Sequence, residues 1–478
     1  MKNTVDYTVG NKHYNALLQP TEWRYSAAAL GLLKFLKFCN CDYELLNNCS
    51  EKPEEAIYGF DGILYDESCI TEENYLLFAE DYFKSDMTHI IILNILKKDE
   101  FTDEDVKKVN DLIKSKTVLK KVMGNVKFDG TNKEVVISLI EENRLEIIKS
   151  IFRYGKNLYS DYCNSNLLLT ESNNHCRLAG YSVDEGRKTR FLGFCFSKDS
   201  FAGNDIKEFD FIPFAFSNSD MYETYFINNN YSITTLEMTD KILSQALRSD
   251  PYEKKDSRTK LLAVLRNAKK FINYNVEIIV KSRDTDYYSS LYVRADRLKA
   301  LKDLPEKSLE FSYKIAEDYW LNLEREVYEH CLNNVQLDDL IDKMLKIYFD
   351  KNVNKTNVRF KINALAEINA SWKGNVTMTE LENAKNCGYY VSKKLAEMKS
   401  GNKIKAFRQK LSSAIIAHDY DRVLEVLLKL SNYADMELPF FIKFLEDPEK
   451  NKDLAYAFIS NLSDPTDSNQ TKTTNKGE

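Results

Sequence analysis

A chain of 478 residues is long enough for two or three domains, each with a core of its own. Its formal net charge of −6 excludes a polycation that binds nucleic acid over its whole surface, so such binding must come from local patches or from partners. The 15 glycines fall below the average usage of roughly 7%, which counts against a glycine-loop nucleotide enzyme and favours a helix-rich protein.

No segment predicts export or membrane insertion. The first twenty residues lack the continuous apolar stretch of a signal peptide. The longest apolar run, residues 89–96, is far shorter than the roughly 20 residues of a membrane span, and it predicts a buried strand or a short core helix. The nine cysteines are an odd number without an export signal, so we expect reduced thiols in a cytoplasmic protein that contacts no membrane.

The first hundred residues combine an apolar helix with an acidic segment. Pro20 and Thr21 stand where a helix should begin, and the apolar residues of 28–36 give that helix a buried face, with Trp23 expected in the core. A strand and turn are predicted at 60–65, and a helix at 72–82. Because residues 42–105 are strongly acidic, we expect them to face away from DNA and towards a basic partner.

The middle of the chain changes from helical to strand-like and back. A helix is predicted at 106–122, with its lysines mainly on the exposed side. Alternating aromatic residues predict strands at 190–196, 208–216 and 222–227, and two further segments, at 276–280 and 287–293, predict paired strands. Apolar residues then recur at three- and four-residue steps and predict one long helix that ends near residue 333: Leu309, Tyr313, Ala316, Trp320, Leu323 and Val327.

These patterns predict an α+β protein. A mixed α/β N-terminal and middle region is expected over residues 1–334, followed by an all-α helical bundle over 335–462 and a disordered polar tail over 463–478. Within the bundle, apolar residues at helical spacing define three buried faces, at 404–415, 423–433 and 454–462.

The bundle contains a concentration of positive charge that opposes the acidic balance of the chain. Either these side chains form an ordinary solvated surface, or they follow a phosphate backbone. The candidates for a phosphate track are Lys393, Lys394, Lys399, Lys403, Lys405, Arg408 and Lys410.

The sequence contains no catalytic motif that can be defended. It has neither phosphate-binding glycine loop nor H-E-x-x-H, and its five histidines lie far apart. His418 and Asp419 form the minimal pair of metal phosphohydrolases, but the further His and Asp ligands of such a site are not found at a suitable spacing, and a turn histidine followed by a helix-capping aspartate is the simpler interpretation. The set Cys163, His175, Cys176 and Cys195 has the soft and imidazole ligands that suit zinc, although free buried cysteines are the simpler interpretation. We therefore expect no catalytic residues and no cofactor, with zinc as the one candidate.

Three stretches together resemble a known family. The first is Pro-Thr-Glu-Trp-Arg at 20–24, followed by Ala-Ala-Leu-Gly-Leu-Leu at 28–33. The second is Cys-Arg-Leu-Ala-Gly at 176–180, which has one cysteine where a C-x-x-C hook has two. The third runs from residue 402 to residue 462. In this order they resemble the large subunit of a type I-B CRISPR surveillance complex (Cascade), in the family named after two C-x-x-C motifs.

The resemblance implies a non-catalytic subunit of an RNA-guided complex. Its partners would be the guide CRISPR RNA, whose 5′ end it would contact, target double-stranded DNA, other Cascade subunits and a helicase-nuclease. It would also recognise the protospacer-adjacent motif, for which we consider the loop residues Lys198, Asn204, Asn228, Asn229 and Asn230. The bundle would correspond to a small subunit, with internal translation starts considered at Met344 and Met378.

Two rival functions belong to other classes. One is a metal-dependent nuclease or phosphohydrolase with a site around His418 and Asp419, which metal-dependent cleavage of DNA would reveal. The other is a purely structural helical scaffold, for which native complexes would contain no nucleic acid.

Overall fold

The computed structural model describes residues 1–47, 53–156, 158–170, 177–178, 206–217, 223–229, 232–247, 259, 261–262, 265–266, 272, 274–282, 288–302, 304, 309–317 and 319–463. These residues form helices and small antiparallel sheets in the N-terminal and middle region and a helical C-terminal region, which confirms the predicted α+β class. The chain separates into two compact units, Met1–Val264 with Lys270–Ala295 and Leu265–Lys269 with Asp296–Glu478. The predicted boundary between residues 334 and 335 stays a prediction, and the predicted tail lies, apart from Ser463, outside the described residues.

An antiparallel four-stranded sheet opens the first unit, in the order β1-β2-β4-β3. Its side chains alternate between two apolar layers, as the pleat of a strand requires. In β2, Leu17 joins a small cluster on one face, while Ala16 and Leu18 enter the main core on the other. The strands are β1 (Lys2–Val9), β2 (Lys12–Leu18), β3 (Tyr43–Leu46) and β4 (Gly62–Tyr65).

Helix α1 (Trp23–Phe38) lies in the centre of the main core and is buried on nearly all sides. Against it packs a 3-10 helix, Lys207–Ala215, where the sequence predicted a strand; that prediction was wrong. The two backbones approach closely at Gly31, because a Cβ there would lie 2.8 Å from the carbonyl carbon of Phe211. The aromatic residues of the 3-10 helix are all buried, so the alternation that looked strand-like fills a core instead.

A buried ion pair fixes this 3-10 helix. The guanidinium of Arg177 lies 2.9 Å from the carboxylate of Asp210, and both side chains are 1% exposed. The same carboxylate accepts hydrogen bonds from the Tyr159 hydroxyl at 2.5 Å and from the Leu169 amide at 2.8 Å. Burial raises the pKa of Asp210 to about 6, against the opposing effect of Arg177.

The other elements described in the first unit are helices and a three-stranded antiparallel sheet, β5-β6-β7. The helix predicted at 72–82 and the paired strands predicted near 276–280 and 287–293 are present, and the run at 89–96 is helical. The single helix predicted at 106–122 is two helices that meet at residue 116. The bounds are α2 (Glu72–Tyr82), α3 (Thr88–Leu96), α4 (Asp103–Ser115), α5 (Thr117–Met123), α6 (Lys133–Glu142), α7 (Arg144–Tyr154), α8 (Tyr159–Tyr162), β5 (Glu223–Asn228), α9 (Ile233–Leu247), β6 (Val276–Ser282) and β7 (Tyr288–Val293).

The second unit contains an antiparallel strand pair, β8 and β9, and nine helices in the part that the structure describes. The long helix predicted over 309–333 was half wrong, because residues 312–316 and 319–322 form the strand pair, with Tyr313 opposite Leu321 and Lys314 opposite Trp320. The bounds are α10 (Ala295–Lys302), β8 (Ser312–Ala316), β9 (Tyr319–Asn322), α11 (Leu323–Asn333), α12 (Asp338–Ile347), α13 (Lys355–Lys373), α14 (Met378–Glu397), α15 (Gly401–Ile416), α16 (Tyr420–Ala434), α17 (Phe440–Glu446) and α18 (Lys452–Asn461). None of the described helices in either unit is both long and apolar enough to cross a membrane.

A polar network joins α12, α13 and α18 inside the second unit. Lys373 lies 3.2 Å from both Asp338 and Asp453, and Lys452 lies 2.9 Å from Asp338. The Asn369 amide donates to the same two carboxylates, at 2.7 Å and 2.9 Å. Lys373, Asp338 and Asp453 therefore each have more than one partner, which is the condition under which burial of ions is tolerated.

A lysine face as candidate nucleic-acid interface

Two consecutive helices carry the predicted basic segment. Helix α14 begins with a capping box, in which Thr377 accepts from the Glu380 amide at 3.2 Å and Glu380 accepts from the Thr377 amide at 2.8 Å. It ends in a short turn where Lys399 has a φ of 54°, in the left-handed region, and α15 follows at Gly401. Both helices bury an apolar stripe, which leaves the intervening positions to solvent.

Six of the seven predicted cations are exposed on these helices and their connecting turn, and we call them the lysine face: Lys393, Lys394, Lys399, Lys403, Lys405 and Lys410. Within the described ranges, none of them lies within ion-pair distance of a carboxylate. Other lysines of this unit do, for example Lys429 with Glu425 and Lys450 with Asp447. The positive charge of the lysine face is therefore uncompensated by neighbouring side chains, so that it remains available to an anion.

Aromatic rings and a shallow cavity accompany the lysine face. The Lys403 ammonium lies 5.2 Å from the centre of the Tyr433 ring, a cation–π distance. Tyr389 and Tyr390 expose more than half of their surface on α14, beside the first two lysines of the face. A cavity of about 510 Å³ between α15 and α16 is lined by Lys410 and Arg422.

Arg408, the seventh predicted cation, does not belong to this surface. It is 3% exposed, and its guanidinium lies 4.2 Å from the centre of the Tyr348 ring. It donates to the Tyr348 hydroxyl and, at 2.5 Å, to the Leu462 carbonyl oxygen. Arg408 therefore holds the end of α18 inside the bundle, and its prediction as a phosphate ligand was wrong.

The residues predicted to read the protospacer-adjacent motif divide in two groups. Asn228 and Asn229 are buried, at 1% and 6% exposed. Asn228 donates to Glu277 at 3.0 Å, and Asn229 donates to the Ser232 carbonyl at 3.2 Å in the turn before α9. Since both amides are used inside the protein, neither can reach a base edge, and this part of the prediction is corrected. Lys198, Asn204 and Asn230 lie outside the described residues.

The predicted metal ligands are not brought together by the described residues. Cys163 is buried, with its thiol 3.8 Å from the Phe209 carbonyl oxygen. His175, Cys176 and Cys195 lie outside the described part, and within that part no three His, Cys, Asp or Glu side chains converge as metal ligands. The predicted zinc site therefore stays a prediction.

The pair His418 and Asp419 has a structural role. His418 has a φ of 54° and lies, exposed, in the turn between α15 and α16. The Asp419 carboxylate caps α16 by accepting from the Arg422 amide at 3.0 Å. This capping agrees with the simpler of the two interpretations of the pair.

Sequence reasoning missed Arg177 next to its cysteine candidate. Only Cys176 was considered as a ligand, and the arginine that follows it was not. An arginine in an apolar segment predicts a buried ion pair, because arginine is almost never fully buried without a partner. The two exposed tyrosines of α14 were also missed as surface features.

An acidic chain whose described part carries this uncompensated lysine face is a candidate nucleic-acid-binding protein. The sequence matches the family described as CRISPR-associated protein Csx8 over residues 14–252 and 248–462. Because the match extends over most of the chain, this protein belongs to the Csx8 family of CRISPR-associated proteins. No curated protein and no solved structure matches it. The resemblance to a CRISPR-associated protein is thus confirmed, while the type I-B large-subunit assignment and the C-x-x-C family stay predictions.

Proposed function

We propose that this chain is the non-catalytic large subunit of a type I-B CRISPR RNA-guided surveillance complex. The observation that carries the proposal is the lysine face, whose six exposed side chains have no described carboxylate partner, on a member of a CRISPR-associated family. In such complexes base pairing with the guide reads the sequence, while the protein supplies contacts to the backbone and to a short motif. Lysines without a carboxylate partner can supply these contacts, because the phosphate backbone of a nucleic acid is negatively charged.

The lysine face would hold target DNA through its phosphates. Each lysine that neutralises a phosphate releases a condensed counterion, so affinity should be high at low salt and fall steeply as salt rises. Recognition of the protospacer-adjacent motif would require polar side chains at the edge of a DNA groove. Because Asn228 and Asn229 are buried, the remaining candidates are Lys198, Asn204 and Asn230. Guide RNA, other Cascade subunits and a helicase-nuclease would complete the assembly.

A tagged pull-down from the native host, followed by identification of RNA and proteins, tests this proposal. We expect one class of short RNA with uniform ends, together with several copies of a backbone subunit. Recovery of the chain alone at low salt, free of RNA and partners, would refute it.

The absence of catalysis has its own test. The purified chain, incubated with labelled DNA and Mg²⁺ or Mn²⁺, should leave the DNA intact. Metal-dependent cleavage that is lost in His418→Ala would instead establish the rival nuclease.

A further inference from the structure

A second basic surface lies in the first unit, on α4 and α5. Residues 107–127 contain seven lysines and a single acidic residue, Asp111, although the preceding segment is strongly acidic. The lysines are Lys107, Lys108, Lys114, Lys116, Lys120, Lys121 and Lys127. All are exposed except Lys116, which is half-buried.

Most of this charge is uncompensated. Lys121 pairs with Glu146 at 2.9 Å, but no carboxylate in the described ranges lies within ion-pair distance of the other six. Some lysines elsewhere in the unit are neutralised, as Lys149 is by Glu72 at 2.5 Å and Lys98 is by Asp105 at 2.7 Å. The contrast indicates a local surface that favours an anionic ligand.

Beside these lysines a cavity of about 580 Å³ opens between α5 and α7. Lys116 contributes an unpaired cation to its wall, Lys121 and Glu146 contribute their ion pair, and Ser115, Thr117 and Ser150 contribute hydroxyl groups. Hydroxyl groups can both donate and accept hydrogen bonds, so the wall offers polar partners as well as positive charge.

An exposed aromatic ring stands in the wall of the same cavity. Tyr154, at the end of α7, is 59% exposed. The Arg153 guanidinium lies 5.0 Å from the centre of the Tyr154 ring and is itself held by the Ser165 carbonyl and, at 3.2 Å, by the Asn166 side chain. The Tyr154 ring thus has one side-chain contact and leaves more than half of its surface open to a stacking partner.

We propose that this cavity and the lysines of α4 and α5 bind single-stranded nucleic acid. One unpaired base stacks on Tyr154 within the cavity, and the adjoining phosphates contact Lys114, Lys116 and Lys120. The combination of an aromatic platform with unpaired cations distinguishes a single strand from a duplex, because the bases of a duplex are stacked on one another. None of the residues involved belongs to the lysine face, so the two sites are separable.

The test uses the full chain with Lys403, Lys405 and Lys410 changed to alanine, which weakens the lysine face. Binding of fluorescein-labelled oligo-dT and oligo-U, each of about 15 nucleotides to fill one binding site, is followed by fluorescence anisotropy. In this background Tyr154→Ala should weaken binding about 5- to 100-fold, since stacking of one base is lost, while Tyr154→Phe should retain it. The effect should appear with both oligonucleotides, because stacking does not involve the ribose hydroxyl.

Salt dependence gives a second readout that a change in folding would not imitate. Lys116→Ala with Lys120→Ala should reduce the slope of log affinity against log salt by about 1.4, the value for two phosphate contacts on a single strand. Tyr154→Ala should leave that slope unchanged. The matched control is Lys84→Ala, an exposed lysine that lies 3.9 Å from Asp81.

Two results would overturn the proposal. One is wild-type affinity of Tyr154→Ala for both oligonucleotides. The other is a loss in Tyr154→Ala that is equally large with a duplex of the same length. Either result would refute the proposed stacking site, but neither would contradict the lysine face or the proposed surveillance complex.

Discussion

Removal of half of the lysine face should change how DNA affinity responds to salt. The variant carries Lys403→Ala, Lys405→Ala and Lys410→Ala. If each of the six lysines neutralises one phosphate, the slope of log affinity against log salt is about −5.4 for the wild type and about −2.7 for the variant. Between about 50 mM and 200 mM salt, the wild type should lose affinity by about 10³-fold and the variant by only about 40-fold.

The control for this prediction has the same change in net charge. Lys429 and Lys450 are exposed lysines of the same unit, Lys443 is partly exposed, and each of the three is paired with a carboxylate. Their replacement by alanine should leave the wild-type slope nearly unchanged, because the lysines are already neutralised by neighbours. The assay is fluorescence anisotropy of a labelled DNA duplex over a salt series, with thermal unfolding by circular dichroism as the check on folding. Equal slopes for the two triple variants would refute the claim that unpaired lysines mark the interface.

Three further predictions concern the core. Gly31→Ala should lower the free energy of unfolding by about 3 kcal/mol or more, because its Cβ would overlap the backbone of Phe211; Gly401→Ala, which has open space around it, should not, and urea denaturation measures both. Asp210 has a folded pKa of about 6 against 3.8 for the free side chain, so its contribution to stability is full below pH 3.8 and is lost as the pH rises to about 6. The stability of the wild type relative to Asp210→Asn should therefore fall by about 3 kcal/mol over that window, and no change with pH would contradict the burial argument. Arg408→Ala should destabilise the chain by about 2–4 kcal/mol in chemical denaturation yet leave the salt slope of DNA binding unchanged, since the side chain is internal.

The sequence predicts those elements whose apolar period is long and regular. Residues 72–82 and the helical C-terminal region follow a clear three- to four-residue spacing, and the strands near 276–280 and 287–293 are rich in β-branched and aromatic residues. Local pattern suffices in such cases because the element buries one face and exposes the other.

Prediction failed where every side chain is buried or where two periods coincide. Residues 208–215 of the 3-10 helix alternate like a strand, but all of them are buried, so no exposed face reveals the period. At 309–323, the apolar residues lie three and four positions apart, which is the spacing of a helix. In the strand pair, however, Tyr313 lies opposite Leu321, and such contacts between two strands cannot be read from the spacing along the sequence.

The candidate site shows the same limit. The exposure of six lysines follows from their positions outside the apolar stripe of the helix. Arg408 was predicted to be exposed because its side chain is charged, although its position in the helix predicts burial. It stands four residues after Ile404 and three before Leu411, both fully buried, and thus on the apolar face of α15. Position on the helix, rather than side-chain type, would have identified it.

The polar network of α12, α13 and α18 has a consequence for sequence divergence within the Csx8 family. Removal of one carboxylate, such as Asp453, would leave Lys373 and Lys452 to share Asp338, so that one buried positive charge has no counter-charge in the network, which typically costs about 3–5 kcal/mol. Concerted replacement of the partners by apolar residues of similar volume can be neutral, since no charge then remains without a partner. These positions should therefore covary among family members as one block, and relatives that lack one of the charges should lack its counter-charge as well.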